Sequence, residues 1–277
     1  MKNILIPYDF SEAAINSLRY TKKLFEGEKL NIFLLDVYIG ERSNLLSEEH
    51  NQEWFNGIDD EIEDELKYLV EILNNEKNNF TYHSIVDSNS LTKSVNATVL
   101  KEKITLIVCG TKGAKSLAQT FIGTNTLNII NAVESVPIIV VPIDYKYKKI
   151  DKITFSTNYK RTFNKKELET LLKLSKIKKC DIEVVNLSED DALTNKQRTH
   201  KVKLRELLQD VNTSFKKLDW DDSEANTIQK HIEIEDRKLL VFINHHYNFF
   251  NTFLNENVIK KITFNSKIPL LILPEFK

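Results

Sequence analysis

Four residues in the middle of the chain carry the clearest chemical signal. Gly110 and Gly113 are separated by two residues, and nine further residues lead to Gly123 and Thr124. Glycine lets backbone N–H groups approach an anion closely, and the N-terminus of a helix adds partial positive charge. The threonine hydroxyl is a further hydrogen-bond donor. This pattern predicts a loop that binds phosphate.

The segments around this loop indicate how it is held. The apolar run Leu106–Cys109 precedes it, and a stretch with helical spacing, Leu127–Val133, follows it. A second apolar run, Ile138–Val141, comes next and is closed by a proline. The predicted order is strand, glycine loop, helix, strand. In an open α/β sheet such a loop lies at the carboxyl end of a strand, where ligands bind.

The remainder of residues 1–143 alternates between the same two kinds of element. Predicted strands cover Asn3–Pro7, Leu30–Val37 and Phe80–Val86. Helical spacing of apolar residues follows each of them, from Ser11 to Phe25, from Ile58 to Leu73, and from Leu91 to Val99. Strands that alternate with helices form parallel βαβ units with right-handed crossovers.

The glycine spacing resembles the motif of the nucleotide-binding branch of the universal stress protein family. That motif is a glycine, two residues, a glycine, nine residues, then glycine followed by Ser or Thr. The first strand ending in Asp9 and the segment Pro137–Pro142 are also similar, so the resemblance covers residues 1–143. It implies a Rossmann-like domain of the adenine nucleotide alpha hydrolase-like type. Such a domain has a five-stranded parallel sheet, order 3-2-1-4-5, with helices on both faces.

The resemblance also implies a ligand and a site. In that strand order Asp9 and Gly110 end neighbouring strands and meet at one crevice. The ligand is ATP or AMP, with Mg²⁺ possible beside ATP. Asp9 contacts ribose or atoms on the adenine side, Val37 lines the base pocket, and Thr124 holds phosphate. The residues expected to bind the nucleotide are Pro7, Asp9, Val37, Cys109, Gly110, Gly113, Gly123, Thr124 and Asn125.

Simpler explanations exist for some of these residues. Asp9 also suits a turn or a helix cap, and Val37 suits the core. Lys112 and Lys115 lie in the loop, but exposed lysines are usually only solvated. The pair His245-His246 has no acidic or thiol neighbour at ligand spacing, so we expect loop histidines and no metal.

The second half of the chain indicates a degenerate copy of the first. Thr252–Asn255 repeats Thr120–Gly123, and Ile268–Pro274 repeats Val136–Pro142 with equal spacing. A repeat on this scale predicts two similar domains, residues 1–143 and residues 151–277.

The binding residues do not recur in the copy. Asp9 aligns with Asn158, and Gly110 aligns with Asn244. All 6 glycines of the chain precede residue 124. We therefore expect nucleotide in the first domain only.

Composition limits the function classes. The 277 residues contain 39 Lys plus Arg and 40 Asp plus Glu, so no basic excess favours nucleic acid or an anionic membrane. Two cysteines, Cys109 and Cys180, do not make a disulfide framework, and no signal-peptide pattern opens the sequence. We expect a cytoplasmic protein.

The predicted function is a regulatory or stress-response module that binds an adenine nucleotide and signals to an unknown protein partner. No catalytic motif is present. Two alternatives remain open: slow ATP hydrolysis or self-phosphorylation on Thr124 or Ser116, and a scaffold that binds no ligand. The resemblance further implies dimerisation through fifth strands. A tandem chain can satisfy that pairing internally, as a pseudo-dimer, with Ile143–Ile150 as linker.

Overall fold

The N-terminal half builds five parallel strands and the helices between them. The computed structural model describes residues 2–38, 63–113, 120–121, 123–187, 192–244 and 266–276. The five strands are Asn3–Pro7 (β1), Leu30–Val37 (β2), Phe80–Asp87 (β3), Leu106–Gly110 (β4) and Ile138–Val141 (β7), and the helices are Glu12–Leu24 (α1), 63–74 (α2), Leu91–Lys101 (α3) and Thr124–Ala132 (α4). A short antiparallel hairpin, Lys112–Gly113 (β5) with Thr120–Phe121 (β6), lies between β4 and α4.

The C-terminal half repeats this plan. Its strands are Lys152–Ser156 (β8), Asp181–Asn186 (β9), Thr213–Lys217 (β10), Leu240–Asn244 (β11) and Leu270–Pro274 (β12), and its described helices are Lys165–Lys178 (α5), Asn195–Leu207 (α6) and Glu224–Ile234 (α7). The predicted residues Lys115, Ser116, His245-His246 and Thr252–Asn255 lie outside the described residues, as does the start of the helix predicted from Ile58.

The strand order within each half is 3-2-1-4-5, as the resemblance implied for the first. The ten strands form one sheet in the order β10-β9-β8-β11-β12-β7-β4-β1-β2-β3. The central strands are buried on both faces, which explains their continuous apolar sequences. Ile4, Leu5 and Ile6 of β1 are all fully buried.

Local sequence explains the start and the end of α1. Ser11 is its N-cap, and the Ser11 Oγ accepts a hydrogen bond from the Ala14 backbone N–H at 3.2 Å. After the helix, Gly27 adopts φ +92°, a conformation that favours glycine. The helix packs against β4 with its first turn near the carboxyl end of that strand, so the cap places residues 9–11 at this edge of the sheet.

The fifth strands of the two halves pair with each other. β12 runs antiparallel to β7, with Leu270 opposite Val140, Leu271 opposite Ile139 and Ile272 opposite Ile138. All of these side chains are at least 98% buried. The pairing removes one exposed edge from each half and merges two sheets into one.

Residues 143–150 are packed against both halves. Tyr145 and Ile150 are buried, and the rings of Tyr20 and Tyr145 meet edge to face with centroids 6.0 Å apart. Asn16 donates hydrogen bonds from Nδ2 to the carbonyls of Pro142 (2.9 Å) and Tyr145 (3.1 Å). The segment therefore contributes to the core between the halves. No helix of the described segments is long and apolar enough to cross a membrane.

The strand junction predicts a large cost for Leu271→Ala. The side chain is fully buried against β7, so its truncation leaves a cavity and should lower the free energy of unfolding by about 2–5 kcal/mol. Urea unfolding followed by circular dichroism measures this change. Ile234→Ala is the control, because that side chain is 72% exposed and its loss should cost less than about 0.5 kcal/mol. An equal loss of unfolding free energy in the two variants would contradict the burial of Leu271 at the junction of β7 and β12.

Candidate functional site

One cavity lies at the carboxyl ends of β1, β2 and β4. Its volume is about 450 Å³. It opens where the sheet order changes direction between β1 and β4, the point at which open α/β sheets bind ligands. Eight of the nine residues expected at the nucleotide line it: Pro7, Asp9, Val37, Cys109, Gly110, Gly123, Thr124 and Asn125. The ninth, Gly113, belongs to the hairpin strand β5 and is not part of the described lining.

A second cavity, of about 630 Å³, lies at the junction of the two halves. Its walls come from residues 142–148, the end of α7 and the segment before β12. Although this cavity is larger, none of the motif residues lines it. The cavity at β1 and β4 is therefore the candidate functional site.

Pairing between distant strands brings the motif residues together. Leu5 pairs with Ile107, which places the chain after β1 level with Gly110 at the end of β4. Thr126, in the first turn of α4, donates a hydrogen bond from Oγ1 to the Gly110 carbonyl at 2.7 Å. The N-terminus of α4 is thereby tied to the end of β4.

Asp9 forms a turn as well as lining the cavity. Its Oδ1 accepts hydrogen bonds from the Ser11 backbone N–H (3.2 Å) and from the Ser11 hydroxyl (2.5 Å). Phe10, between them, has φ 56°, and the Tyr8 and Phe10 rings meet edge to face at 5.2 Å. The Asp9 carboxylate thus stabilises a turn and also lines the cavity, so its two expected roles are compatible.

Gly110 is required by close packing. A Cβ atom added there would lie 2.6 Å from the Ala13 carbonyl oxygen and 2.8 Å from the Ala13 Cβ, which is closer than real Cβ contacts. The backbone of α1 therefore rests directly on β4 at this point. Glycine was expected here for the approach of an anion, and the structure shows a packing reason as well.

The start of α4 offers donors without a competing acid. Gly123 is the N-cap, with φ −64° and ψ 152°, and makes no side-chain capping hydrogen bond. The first turn contains no acidic residue, and Thr124 and Asn125 are solvent-exposed and line the cavity. Backbone N–H groups at such a terminus are available to an anion.

Sequence reasoning missed Asp36. This residue precedes Val37 in β2, lines the cavity, and is only 8% exposed. Burial, and next the negative charge of Asp9, raise the pKa of the Asp36 carboxyl, while a hydrogen bond from the Val37 backbone opposes the change. A charged residue that ends the apolar run Leu30–Leu35 was the available signal.

The thiol of Cys109 has no reactive character. Burial raises its pKa to about 12, and a hydrogen bond with Thr126 opposes the shift only partly. The residue acts as a small apolar wall. Among the described residues, no group of three or more His, Cys, Asp or Glu side chains is arranged to hold a metal ion.

The corresponding turn in the C-terminal half has the same backbone. The Oδ1 of Asp9 and of Asn158 each accepts a hydrogen bond from the N–H two residues later, at 3.2 and 3.1 Å. The next residue has a positive φ in both halves, 56° at Phe10 and 54° at Tyr159. The alignment of Asp9 with Asn158 therefore agrees with the backbone.

The expected alignment of Gly110 with Asn244 is wrong by one residue. Gly110 pairs with Val141, and Ile243 pairs with Leu273, while a proline follows each of these two partners. The pairing of β4 and β11 with the first strand of each half gives the same register. Ile243, not Asn244, therefore stands where Gly110 stands.

Side chains of α6 contact the backbone of this turn in the C-terminal half. Tyr159 is fully buried, and its carbonyl oxygen lies 2.9 Å from Nδ1 of His200. Gln197 donates a hydrogen bond from Nε2 to the Asn158 carbonyl at 2.9 Å. The first helix of this half begins after a longer loop, with Asn164 as its N-cap.

Similar solved structures share the fold along the whole chain. A universal stress protein from Archaeoglobus fulgidus superposes with a TM-score of 0.71 at 15% identity, and 98% of each chain is covered. A putative universal stress protein from Pseudomonas aeruginosa gives 0.63 at 12% identity, covering 99% of this chain and 93% of that one. The cytoplasmic domain of a prokaryotic cation chloride cotransporter gives 0.55 at 10% identity, with 99% and 95% covered.

The fold and cavity define the class: a tandem doubly wound α/β protein with a pocket at the switch point of its first half. The sequence profile of the universal stress protein family matches residues 1–142. The chain therefore belongs to the universal stress protein family, and this membership supports a role in the stress response. Comparison with curated protein sequences gives no significant match.

The packing at Gly110 predicts that Gly110→Ala is destabilising. The added methyl group must push the Ala13 backbone away, which should cost about 1–3 kcal/mol of unfolding free energy. Gly27→Ala is the control, because an added Cβ there has no atom within 4 Å and costs only about 1–2 kcal/mol of left-handed backbone strain. Denaturant unfolding compares them. A smaller loss of unfolding free energy in Gly110→Ala than in Gly27→Ala would contradict the close packing of Gly110 against Ala13.

Proposed function

We propose that the cavity of the N-terminal half binds an adenine nucleotide, ATP or AMP, and that the protein acts as a regulatory stress-response module in the cytoplasm. One observation carries the proposal: eight residues from distant parts of the motif line a single cavity at the sheet's switch point. A volume of about 450 Å³ lies in the usual range for small-molecule sites.

The two sides of the cavity differ in the groups that they offer a ligand. On the β4 side, the N-terminus of α4 and the Thr124 hydroxyl supply donors for phosphate oxygens. On the β1 side, Asp9 supplies an acceptor for ribose hydroxyls. Val37, Leu35 and Pro7 supply apolar surface for a base. This polarity suits a nucleoside phosphate that lies across the strand ends, with Mg²⁺ possible beside ATP.

The C-terminal half does not bind nucleotide in this proposal. Ile243 replaces Gly110, and Asn158 replaces the Asp9 carboxylate with an amide. Tyr159 is buried, and its carbonyl oxygen lies 2.9 Å from the His200 Nδ1. Without the carboxylate and the glycine, the half loses charge-assisted hydrogen bonds worth roughly 1.5–3 kcal/mol each.

We further propose that the chain is an intramolecular pseudo-dimer whose β7–β12 pairing takes the place of a contact between two chains. Its nucleotide-bound state is then read by a protein partner. The domain limits, residues 1–143 and 151–277, stay a prediction. They are supported by the strand order, in which each half contributes five neighbouring strands to the sheet.

Isothermal titration with ATP and with AMP tests the proposal, and one site per chain is expected. Asp9→Asn should keep the turn, because Asn158 forms the same turn in the other half, yet it removes the charge. The loss of one charge-assisted hydrogen bond should weaken binding by about 10- to 100-fold.

Asn158→Asp is the matched control and should neither change the affinity nor create a second site. Absence of heat with either nucleotide, together with protein that carries no nucleotide after purification, would overturn the proposal in favour of a scaffold. Phosphate released from ATP, or phosphate transferred to the protein, by the wild type but not by Asp9→Asn would instead support the enzymatic alternative.

A further inference from the structure

Asp36 is a buried carboxylate in the wall of the nucleotide cavity. It is the second-last residue of β2, it lines the cavity, and 92% of its surface is buried. Carboxylates are rarely buried to this extent unless a cation or hydrogen-bond donors accompany them. Its environment therefore requires an explanation.

The described residues around Asp36 supply little compensation. Among the described residues, the Val37 backbone N–H donates a hydrogen bond to this carboxylate, and the ion pairs between described residues do not include Asp36. The charged groups that face it are the carboxylates of Asp9 and, on α2, Glu65. Burial next to these carboxylates disfavours the ionised form of Asp36. Groups held in such a costly state in a cleft often contact a ligand.

Strand order places Asp36 at the far end of the cavity from the phosphate donors. The sequence across the sheet is β2, β1, β4, and adjacent strands are about 4.8 Å apart, so the end of β2 lies about 10 Å from the end of β4. In a nucleotide the sugar follows the phosphate and the base lies beyond it. With phosphate at α4 and sugar at Asp9, the base reaches β2.

We propose that Asp36 is a specificity-determining residue that accepts a hydrogen bond from the exocyclic amino group of the bound base. This inference rests on the proposed function. A carboxylate is an acceptor only, so it favours a base edge that donates and repels one that presents a carbonyl. Adenine carries an amino group at C6, and hypoxanthine carries a carbonyl there. Asp36 thus selects ATP over inosine triphosphate, which has the same sugar and phosphates.

Titration of the full chain with ATP and with inosine triphosphate tests the assignment. The wild type should bind ATP at least about tenfold more tightly, because a site built to accept a hydrogen bond rejects the analogue that lacks the donor. In Asp36→Asn the amide can present either its oxygen or its NH₂ group, so the two affinities should come within about threefold of each other. Asp87→Asn is the matched control, since Asp87 ends the neighbouring strand β3 outside the cavity lining and should leave the ratio unchanged.

The outcomes separate this inference from the proposed function. Failure of every variant to bind ATP would remove the nucleotide site itself. If ATP binds tightly and the ratio of the affinities for ATP and inosine triphosphate is the same in wild type and Asp36→Asn, only the role of Asp36 is overturned. Each titration is repeated with EDTA and with Mg²⁺. If Asp36→Asn weakens both nucleotides equally and only with Mg²⁺, the carboxylate acts on a metal ion and the inference is overturned.

A stability measurement gives a second readout without ligand. Because burial and the charge of Asp9 raise the pKa of Asp36, the folded protein disfavours its ionised form. The penalty is absent below the ordinary pKa of an aspartate and is fully present above the raised value. Asp36→Asn should therefore raise the melting temperature at pH 7, and this gain should shrink as the pH falls towards 4. A variant less stable than wild type at pH 7 would show that Asp36 is a stabilising structural residue instead.

Discussion

The contact between the first turn of α1 and the end of β4 decides how the candidate site is assembled. Since Gly110 has no side chain, the Ala13 backbone rests on the strand itself. The turn that contains Asp9 is consequently held beside the N-terminus of α4, which Thr126 ties to the Gly110 carbonyl. An acidic turn and a helix terminus meet there although about a hundred residues separate them along the chain.

The C-terminal half keeps the fold with different residues at these positions. Its sheet has the same strand order, and its first turn has the same backbone. However, Ile243 stands at the glycine position, the first helix begins after a longer loop, and His200 contacts the Tyr159 carbonyl in the turn. The fold thus persists with Ile243 and Asn158 in place of Gly110 and Asp9, because strand pairing and burial stabilise the sheet independently of the turn residues.

The two halves contribute to one structure through different interactions. Antiparallel pairing of β7 with β12 supplies a continuous hydrogen-bonded sheet. Outside the sheet, Lys178 of α5 donates a hydrogen bond from Nζ to the Leu24 carbonyl at the end of α1, at 2.7 Å, and its Nζ lies 5.4 Å from the centre of the Tyr147 ring. A cation at the C-terminus of a helix is favourable because carbonyl groups there lack partners within the helix. The packed segment 143–150 adds aromatic contacts between the halves.

Local sequence patterns determined the type and approximate limits of the elements. The strands Asn3–Pro7, Leu30–Val37 and Ile138–Val141 were predicted with the limits that the structure has, because buried parallel strands are continuous apolar runs bounded by turn residues. The predicted start of α4 was three residues late, since its first turn is polar and carries no apolar period. The short hairpin β5–β6 was not predicted either, as two-residue strands are below what periodicity can detect.

Tertiary structure alone decided which side chains share the cavity. Glycine spacing predicted a phosphate-binding loop, but nothing local shows that Asp36 is buried in the cavity wall or that Gly110 supports α1. The register that replaces Gly110 by Ile243 depends on pairing with β7 and β12, which the sequence alignment could not supply. The periodicity of apolar residues shows which face of each segment is buried in the core. A site, in contrast, forms where segments that are distant in the chain come into contact. Those contacts follow from strand order, register and the space around individual atoms.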